Sequence, residues 1–280
     1  MSSNDHAWLP RTSCGELCVN AGLSEPGHPV LEGIRVGRRL VAGLLLFPAV
    51  CLLALPLPGR VGVQRLYCRM MLRCLGVRIT LSGGPIRNLR GVLVVSNHVS
   101  WVDVFAIGSV MPGAFVARAD LVDWPGLGIA VRMMNVIPID RASLRRLPNV
   151  VSAVAQRLSA GRTVVAFPEG TTWCGPDYGP FRPAMFQAAV DTGRPVQPLR
   201  LSYHHRDGRP STATAFLGED SLWASLNRIA RARRTVVHVE VRSLQLSGPG
   251  RRDLAARCEA EVRGRPPLHG DHLPELAIGL

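Results

Sequence analysis

Seven short apolar runs punctuate the chain after residue 80, and their texture constrains the fold more than any other feature. They are Gly91–Ser96, Ala114–Ala117, Val136–Asp140, Thr163–Phe167, Val196–Ser202, Thr212–Phe216 and Thr235–Val241. Stretches with helical period separate them, notably Leu144–Ser159, Ala184–Asp191, Ser221–Arg231 and Arg251–Arg263. The early runs, such as Val92-Leu93-Val94-Val95, are continuously apolar and do not alternate with polar residues. A strand of that kind is buried on both faces, which requires a sheet covered by helices on each side. An α/β domain over about residues 81–263 follows, and 280 residues leave room for a sizeable core.

Charge and cysteine narrow the function. All 33 basic residues are arginine, against 20 acidic residues, so the formal net charge is +13. Such an excess suits a polyanionic partner: nucleic acid, an anionic membrane face or a phosphorylated substrate. The arginines are spread along the chain and only 5% of residues are aromatic, a poor match to a nucleic-acid surface of clustered arginines with interleaved rings. The seven cysteines form no pair of Cys-x-x-Cys units, so they read as reduced thiols, with no structural zinc or other metal expected.

The N-terminal third has a different character. Residues 1–30 are polar, glycine- and proline-rich and without apolar period, which gives the expectation of a loose tail. Residues 31–80 read as membrane-associated helices. Leu40 to Gly59 is uncharged and long enough to span roughly 30 Å as a helix, yet Pro48, Pro56 and Pro58 interrupt it. A kinked, re-entrant helix and a straight crossing both fit. In the following stretch, 61–79, Arg65, Arg69 and Arg73 recur every four residues beside Leu66, Tyr67, Met70, Met71 and Cys74. This is the pattern of a basic helix lying on anionic lipid, and also of a core helix with a solvated arginine face. Residues 264–280 read as a C-terminal tail.

Two of the buried strands end in polar groups, at the edge where α/β proteins place their sites. The first continues as Ser96-Asn97-His98-Val99-Ser100-Trp101-Val102-Asp103. Asp103 falls in the first turn of a helix expected from about Trp101 to Val110, within reach of the His98 imidazole. A carboxylate there fixes the tautomer and stabilises the imidazolium once a proton is taken. Ser100 and Asp103 equally fit a helix-capping pair, with His98 merely satisfying backbone groups. The second strand ends in Phe167-Pro168-Glu169-Gly170-Thr171-Thr172, a carboxylate, a flexible glycine and two hydroxyls, which alone could be an ordinary turn.

Together the blocks NHVSWVD (97–103), VIPIDR (136–141), AFPEGTT (166–172) and PVQPLRLSY (195–203), in this order, resemble the four motif blocks of the glycerolipid acyltransferases over roughly residues 60–240. The family includes 1-acyl-sn-glycerol-3-phosphate acyltransferase, and the doubled threonine resembles a bacterial branch that also acylates lyso-ornithine lipid. The resemblance implies a glycerolipid-acyltransferase-like sheet covered by helices, with an N-terminal membrane-associated segment on the cytoplasmic face of the cell membrane, monotopic or single-pass. It implies His98 as general base and Asp103 as its orienting acid. The acceptor is the hydroxyl of a lysophospholipid, with 1-acyl-sn-glycerol 3-phosphate first and lyso-ornithine lipid second. The donor is acyl-CoA or acyl carrier protein, and no cofactor is needed. Arg141 and Arg118 are the implied phosphate contacts, Arg118 standing where the family usually has lysine. Glu169 is expected to hold the acceptor head group or a neighbouring arginine, and the Gly170 and Thr171 amides to face the oxyanion. After Glu-Gly-Thr the family often has Arg-Ser, whereas this chain has Thr172-Trp173-Cys174, so one cation expected near phosphate is missing. The absent Gly-x-Ser-x-Gly elbow agrees with direct transfer and no acyl-enzyme.

Overall fold

The computed structural model describes residues 9–21, 28–53, 59–86, 89–123, 128, 132, 134, 136–140, 143–218 and 220–264. Its centre is one seven-stranded mixed sheet, built from β1 (Val77–Gly83), β2 (Leu93–Ser96), β3 (Ala114–Arg118), β4 (Ile137–Ile139), β5 (Val164–Ala166), β6 (Val196–His205) and β7 (Thr235–Val241). The strands lie in the order β1-β7-β6-β2-β5-β3-β4. Strand β2 runs parallel to both of its neighbours, β5 and β6. Only the β6–β7 pair is antiparallel.

The continuous apolar runs behave as their texture requires. All four residues of β2 are fully buried. Successive side chains of a strand point to opposite faces, and here they enter two separate cores: Val92 and Val94 join one, Leu93 and Val95 the other. The first core is closed by α3 (Arg60–Cys74) and α4 (Asp103–Val110); the second by α5 (Leu147–Ser159), α6 (Phe186–Thr192) and α8 (Arg251–Arg263).

Three sequence expectations need correction. Residues 77–79, read as the end of a basic helix, belong instead to β1, which pairs with β7. Gly76 makes the break between α3 and β1: its φ is +73°, and a Cβ there would sit 1.9 Å from Arg39 Nη2. Thr212–Phe216 is buried as its composition suggests but forms no strand. Its carbonyls are satisfied by a side chain, since Arg228 of α7 (Leu222–Arg231) donates to Ala213 O at 3.0 Å and to Ala215 O at 2.5 Å, with Asp220 balancing the guanidinium. Finally, part of the expected N-terminal tail is packed. Cys14 and Val19 are buried, and the Thr212 hydroxyl donates to Val19 O at 2.7 Å. Residues 1–8 and 22–27, and the C-terminal tail from residue 265, lie outside the described residues.

The apolar N-terminal helix is α2 (Pro29–Leu46), continued as a 3-10 helix over Phe47–Leu53 from the position of Pro48. Among the described residues this is the one helix long and apolar enough to cross a membrane. Residues 54–58, with two of the three prolines, lie outside the described residues. The middle of α2 is held to the domain by arginine: Arg39 donates to the carbonyls of Ile229, Ala230, Ala232 and Arg233, and Arg35 to that of Arg231. These guanidinium groups satisfy the orphan carbonyls at the end of α7. The second half of α2 carries exposed Val41, Leu44 and Leu45. Helix α3 has both of the characters its sequence suggests. Tyr67, Cys68, Met71 and Leu72 are buried, while Leu66, Arg69, Met70 and Arg73 are exposed.

Candidate active site

Where the main-chain ladder of β2 ends at Ser96, a side chain extends it. The Asn97 amide donates to Leu201 O at 2.9 Å and accepts from Leu201 N at 2.8 Å, pairing with β6 as another peptide group would. The chain is thereby aimed outward at His98, whose side chain keeps 15% of its surface exposed. Its ring lies flat on Phe167, with centroids 3.9 Å apart and planes 12° from parallel.

His98 Nδ1 is 2.8 Å from Asp103 Oδ2. The same oxygen accepts the amides of Val99 at 2.7 Å and Ser100 at 2.9 Å. The other oxygen, Oδ1, accepts the Tyr203 hydroxyl at 2.5 Å. Asp103 is fully buried, so its charge depends entirely on these four donors. One carboxylate therefore ties down the loop that leads into α4 and also meets the imidazole. Because an ionised carboxylate only accepts, Nδ1 carries the ring proton, and Nε2 is left with its lone pair.

Strand β5 delivers the second cluster beside the first, since Leu93–Val95 and Val164–Ala166 pair in register. Glu169 is 3% exposed. Its Oε2 accepts the backbone N–H of His98 at 2.8 Å and its Oε1 that of Gly179 at 3.3 Å. Both oxygens thus receive backbone N–H groups, one of them that of His98. Burial pushes the Glu169 pKa up to about 8, against the two amide donors that favour the charged form. Trp173 N donates to His98 O at 2.8 Å, and Phe216 N to Val99 O at 3.0 Å, so the loop is tied on every side.

The expected oxyanion donors divide. Gly170 N donates to Phe167 O at 3.1 Å within a turn, so it is already engaged. Thr171 N has no acceptor among the described residues. The φ of +75° at Gly170 requires glycine, and a Cβ there would meet Pro10 at 2.7 Å. Thr172 gives its hydroxyl to Phe216 O, while Arg182 lies beside Gly170, its Cδ 3.7 Å from where a Cβ there would sit. Arg118, at the end of β3, forks onto Asp120 with contacts of 2.9 and 2.5 Å on the exposed surface. Arg141 lies outside the described residues.

Tyr203 is the residue that sequence reasoning missed. It closes the fourth block, and its burial holds its phenol pKa well above the usual range, with Asp103 adding to the shift. Strand alternation places it on the face shared with Leu199 and Leu201, in the same core as Val94, but no local pattern shows that it meets Asp103.

An imidazole backed by a buried carboxylate at the C-terminal mouth of a central strand is the arrangement that general-base chemistry on an α/β sheet requires. Comparison with known proteins places that class. A family model described as Acyltransferase matches residues 78–202. The lyso-ornithine lipid O-acyltransferase of Pseudomonas aeruginosa is 32% identical over 208 residues, which are 74% of this chain and 79% of that protein. The 1-acyl-sn-glycerol-3-phosphate acyltransferase of Neisseria meningitidis serogroup B is 33% identical over 172 residues, 61% of this chain and 67% of its own length. The crystal structure of the 1-acyl-sn-glycerophosphate (LPA) acyltransferase PlsC from Thermotoga maritima shares the fold, with a TM-score of 0.56 at 20% identity over 86% of this chain and 99% of that one. The chain belongs to the glycerolipid acyltransferase family and is an acyltransferase enzyme.

Proposed function

We propose that this chain acylates the free hydroxyl of a lysophospholipid, with His98 as the general base. The observation that carries the reading is the 2.8 Å contact between His98 Nδ1 and a fully buried, four-fold hydrogen-bonded Asp103. Nε2 takes the hydroxyl proton as the oxygen attacks the thioester carbonyl of acyl-CoA or acyl carrier protein. The tetrahedral intermediate carries its negative charge on the former carbonyl oxygen, towards which the Thr171 amide is available. Collapse breaks the carbon–sulfur bond, and the thiolate leaves with the proton held on the imidazolium. A thiolate is a good leaving group, so the chemical task of the site is to activate a poor alcohol nucleophile.

The favoured acceptor is 1-acyl-sn-glycerol 3-phosphate, giving phosphatidate, with Arg141 and Arg118 as its phosphate contacts. Arg118 must then share its guanidinium between Asp120 and the phosphate, whose double charge makes it the stronger partner. The second reading, lyso-ornithine lipid, is favoured by Thr172: its hydroxyl is given to Phe216 O at the position where an arginine would meet phosphate. That reading also matches the name of the Pseudomonas relative.

The membrane reading is monotopic, on the cytoplasmic face. Arg35 and Arg39 fasten the middle of α2 to α7, which leaves its exposed apolar side chains, Leu44 and Leu45 among them, with those of α3, to enter one leaflet. Purified full-length protein offered labelled acyl-CoA and a panel of lysolipids, with products identified by mass, tests the proposal. Labelled phosphatidate from 1-acylglycerol 3-phosphate is expected; transfer to lyso-ornithine lipid alone selects the second reading, and no transfer to any lysolipid overturns both.

A further inference from the structure

Cys14, Cys18, Cys174 and Asp177 converge at the surface, on the far side of the loop that follows Glu169. Their three Sγ atoms and a carboxylate oxygen all lie within 4.8 Å of one another. Cys14 and Cys174 are buried, Cys18 is half-buried and Asp177 is exposed, so the cluster is walled by protein on one side and open to ions on the other. Read along the chain, these residues give no zinc signature, because Cys14 and Asp177 stand 163 positions apart. Folding unites two ordinary fragments, Cys-x3-Cys and Cys-x2-Asp, whose spacings are those of metal-binding half-sites.

We propose that these four residues bind one Zn2+ ion that fastens the N-terminal segment to the loop bordering the active site. Apolar packing alone does not account for the arrangement, because two thiols are turned to one carboxylate as weak S–H donors, a polar convergence that a metal ion would use more fully. The Sγ atoms of both Cys14 and Cys174 lie 3.9 Å from Asp177 Oδ2. In a tetrahedral zinc site with ordinary bond lengths the sulfur–oxygen edge is about 3.5 Å and the sulfur–sulfur edge about 3.8 Å, so shifts of up to about 1 Å bring the four donors, none more than 4.8 Å from another, into place. The donor set selects the ion. Three thiolates exclude calcium and magnesium, a fourth cysteine is lacking for an iron–sulfur cluster, and three soft sulfurs with one carboxylate suit zinc. Local backbone is already shaped for it: Gly175 turns the chain at a φ of +101°, and Asp177 N donates to Cys174 Sγ at 3.4 Å, a bond that steadies a thiolate.

Four protein ligands make a closed, structural site with no position for substrate. Binding displaces three thiol protons, so occupancy increases with pH. The ion would hold residues 9–21 across two loops, one carrying Trp173 N–H to His98 O and the other Phe216 N–H to Val99 O. Pro10 against Gly170 and Val19 O against Thr212 are the other ends of that strap. Zinc therefore supports the backbone around His98 from outside without touching the reaction, independently of which lysolipid is acylated.

The test is the metal content of full-length protein purified in detergent with a thiol reductant and no chelator, measured by elemental mass spectrometry against protein concentration. About one zinc per chain is expected, falling by roughly tenfold or more in Cys18→Ser and Cys174→Ser and unchanged in Cys51→Ser, whose exposed thiol lies outside the cluster. Cobalt exchanged into the wild-type protein supplies a measurement that needs no variant to fold: a thiolate-to-cobalt charge-transfer band of tetrahedral type is expected. Wild-type protein that holds no zinc and gives no such band, with Cys14, Cys18 and Cys174 open to alkylation, overturns the proposal. A disulfide found by peptide mapping between any two of those cysteines overturns it equally.

Discussion

Asparagine in place of Asp103 separates the two duties of that side chain. The carboxylate receives four hydrogen bonds and gives none: three converge on Oδ2, from His98 Nδ1 and the amides of Val99 and Ser100, and one reaches Oδ1 from Tyr203. An asparagine would place its carbonyl oxygen on the side of the three N–H donors, because neither backbone amide can turn away. Its NH2 group then meets the Tyr203 hydroxyl, which rotates and becomes the acceptor. Fold, loop and imidazole tautomer all survive, at a stability cost of about 1 kcal/mol for weaker, uncharged bonds. What disappears is the charge facing the imidazolium. With the two charges centred roughly 4 Å apart at an effective dielectric of about 20, their attraction is about 4 kcal/mol. Since that attraction exists only after proton transfer, kcat is expected to fall about a thousandfold. Thiol release from acyl-CoA at saturating lysolipid gives the rate, and thermal unfolding of the same preparation gives the stability. Asp103→Asn turnover within threefold of wild type would refute the electrostatic reasoning; so would unfolding as severe as that of Asp103→Ala, which releases the loop that leads into α4.

Three further perturbations probe the surroundings. Tyr203→Phe removes the only donor to Asp103 Oδ1 among the described residues, inside a fully buried site, and should destabilise the fold by about 1–3 kcal/mol, read as thermal unfolding. Unfolding at the wild-type temperature would argue against the contact. For Glu169, the folded pKa of about 8 lies above the ordinary 4.5, so the native state holds a proton that the unfolded chain releases. Stability should then decline as pH rises from the ordinary carboxyl range to about 8 and level off above it, a slope that Glu169→Gln removes; parallel curves for the two proteins would contradict this. In Leu44→Glu/Leu45→Glu, two exposed apolar side chains of α2 are lost to the bilayer, each worth about 1.5–3 kcal/mol, so flotation with anionic vesicles should fall at least a hundredfold; binding unchanged within twofold would remove α2 from the membrane contact.

Particular residues show how far the sequence could be read. The run Val92–Val95 announces burial on both faces because a strand alternates its sides, and the structure sends those four residues in turn to two cores. His98 and Asp103 are close in sequence, so their meeting depends on one turn and is legible locally. Thr212–Phe216 shows where local reading fails. Composition reveals that a segment is buried, but not what satisfies its carbonyls, and here a guanidinium from α7 does so in place of a neighbouring strand. Glu169 was recognised as a site residue, but only the register of β2 against β5 brings it under the His98 amide. Tyr203 meets Asp103 across 100 residues and the two halves of the cysteine cluster, Cys14 with Asp177, across 163, separations for which a single chain carries no periodic signal.

Replacing His98 by alanine, with transfer followed in a single turnover of enzyme-bound acyl-CoA and lysolipid, bears most directly on the proposed chemistry. Loss of the base should slow acyl transfer by about 10²–10⁴-fold while binding of the lysolipid and the unfolding temperature stay close to wild type. Transfer by His98→Ala at a rate within tenfold of the parent would show that some other group takes the hydroxyl proton.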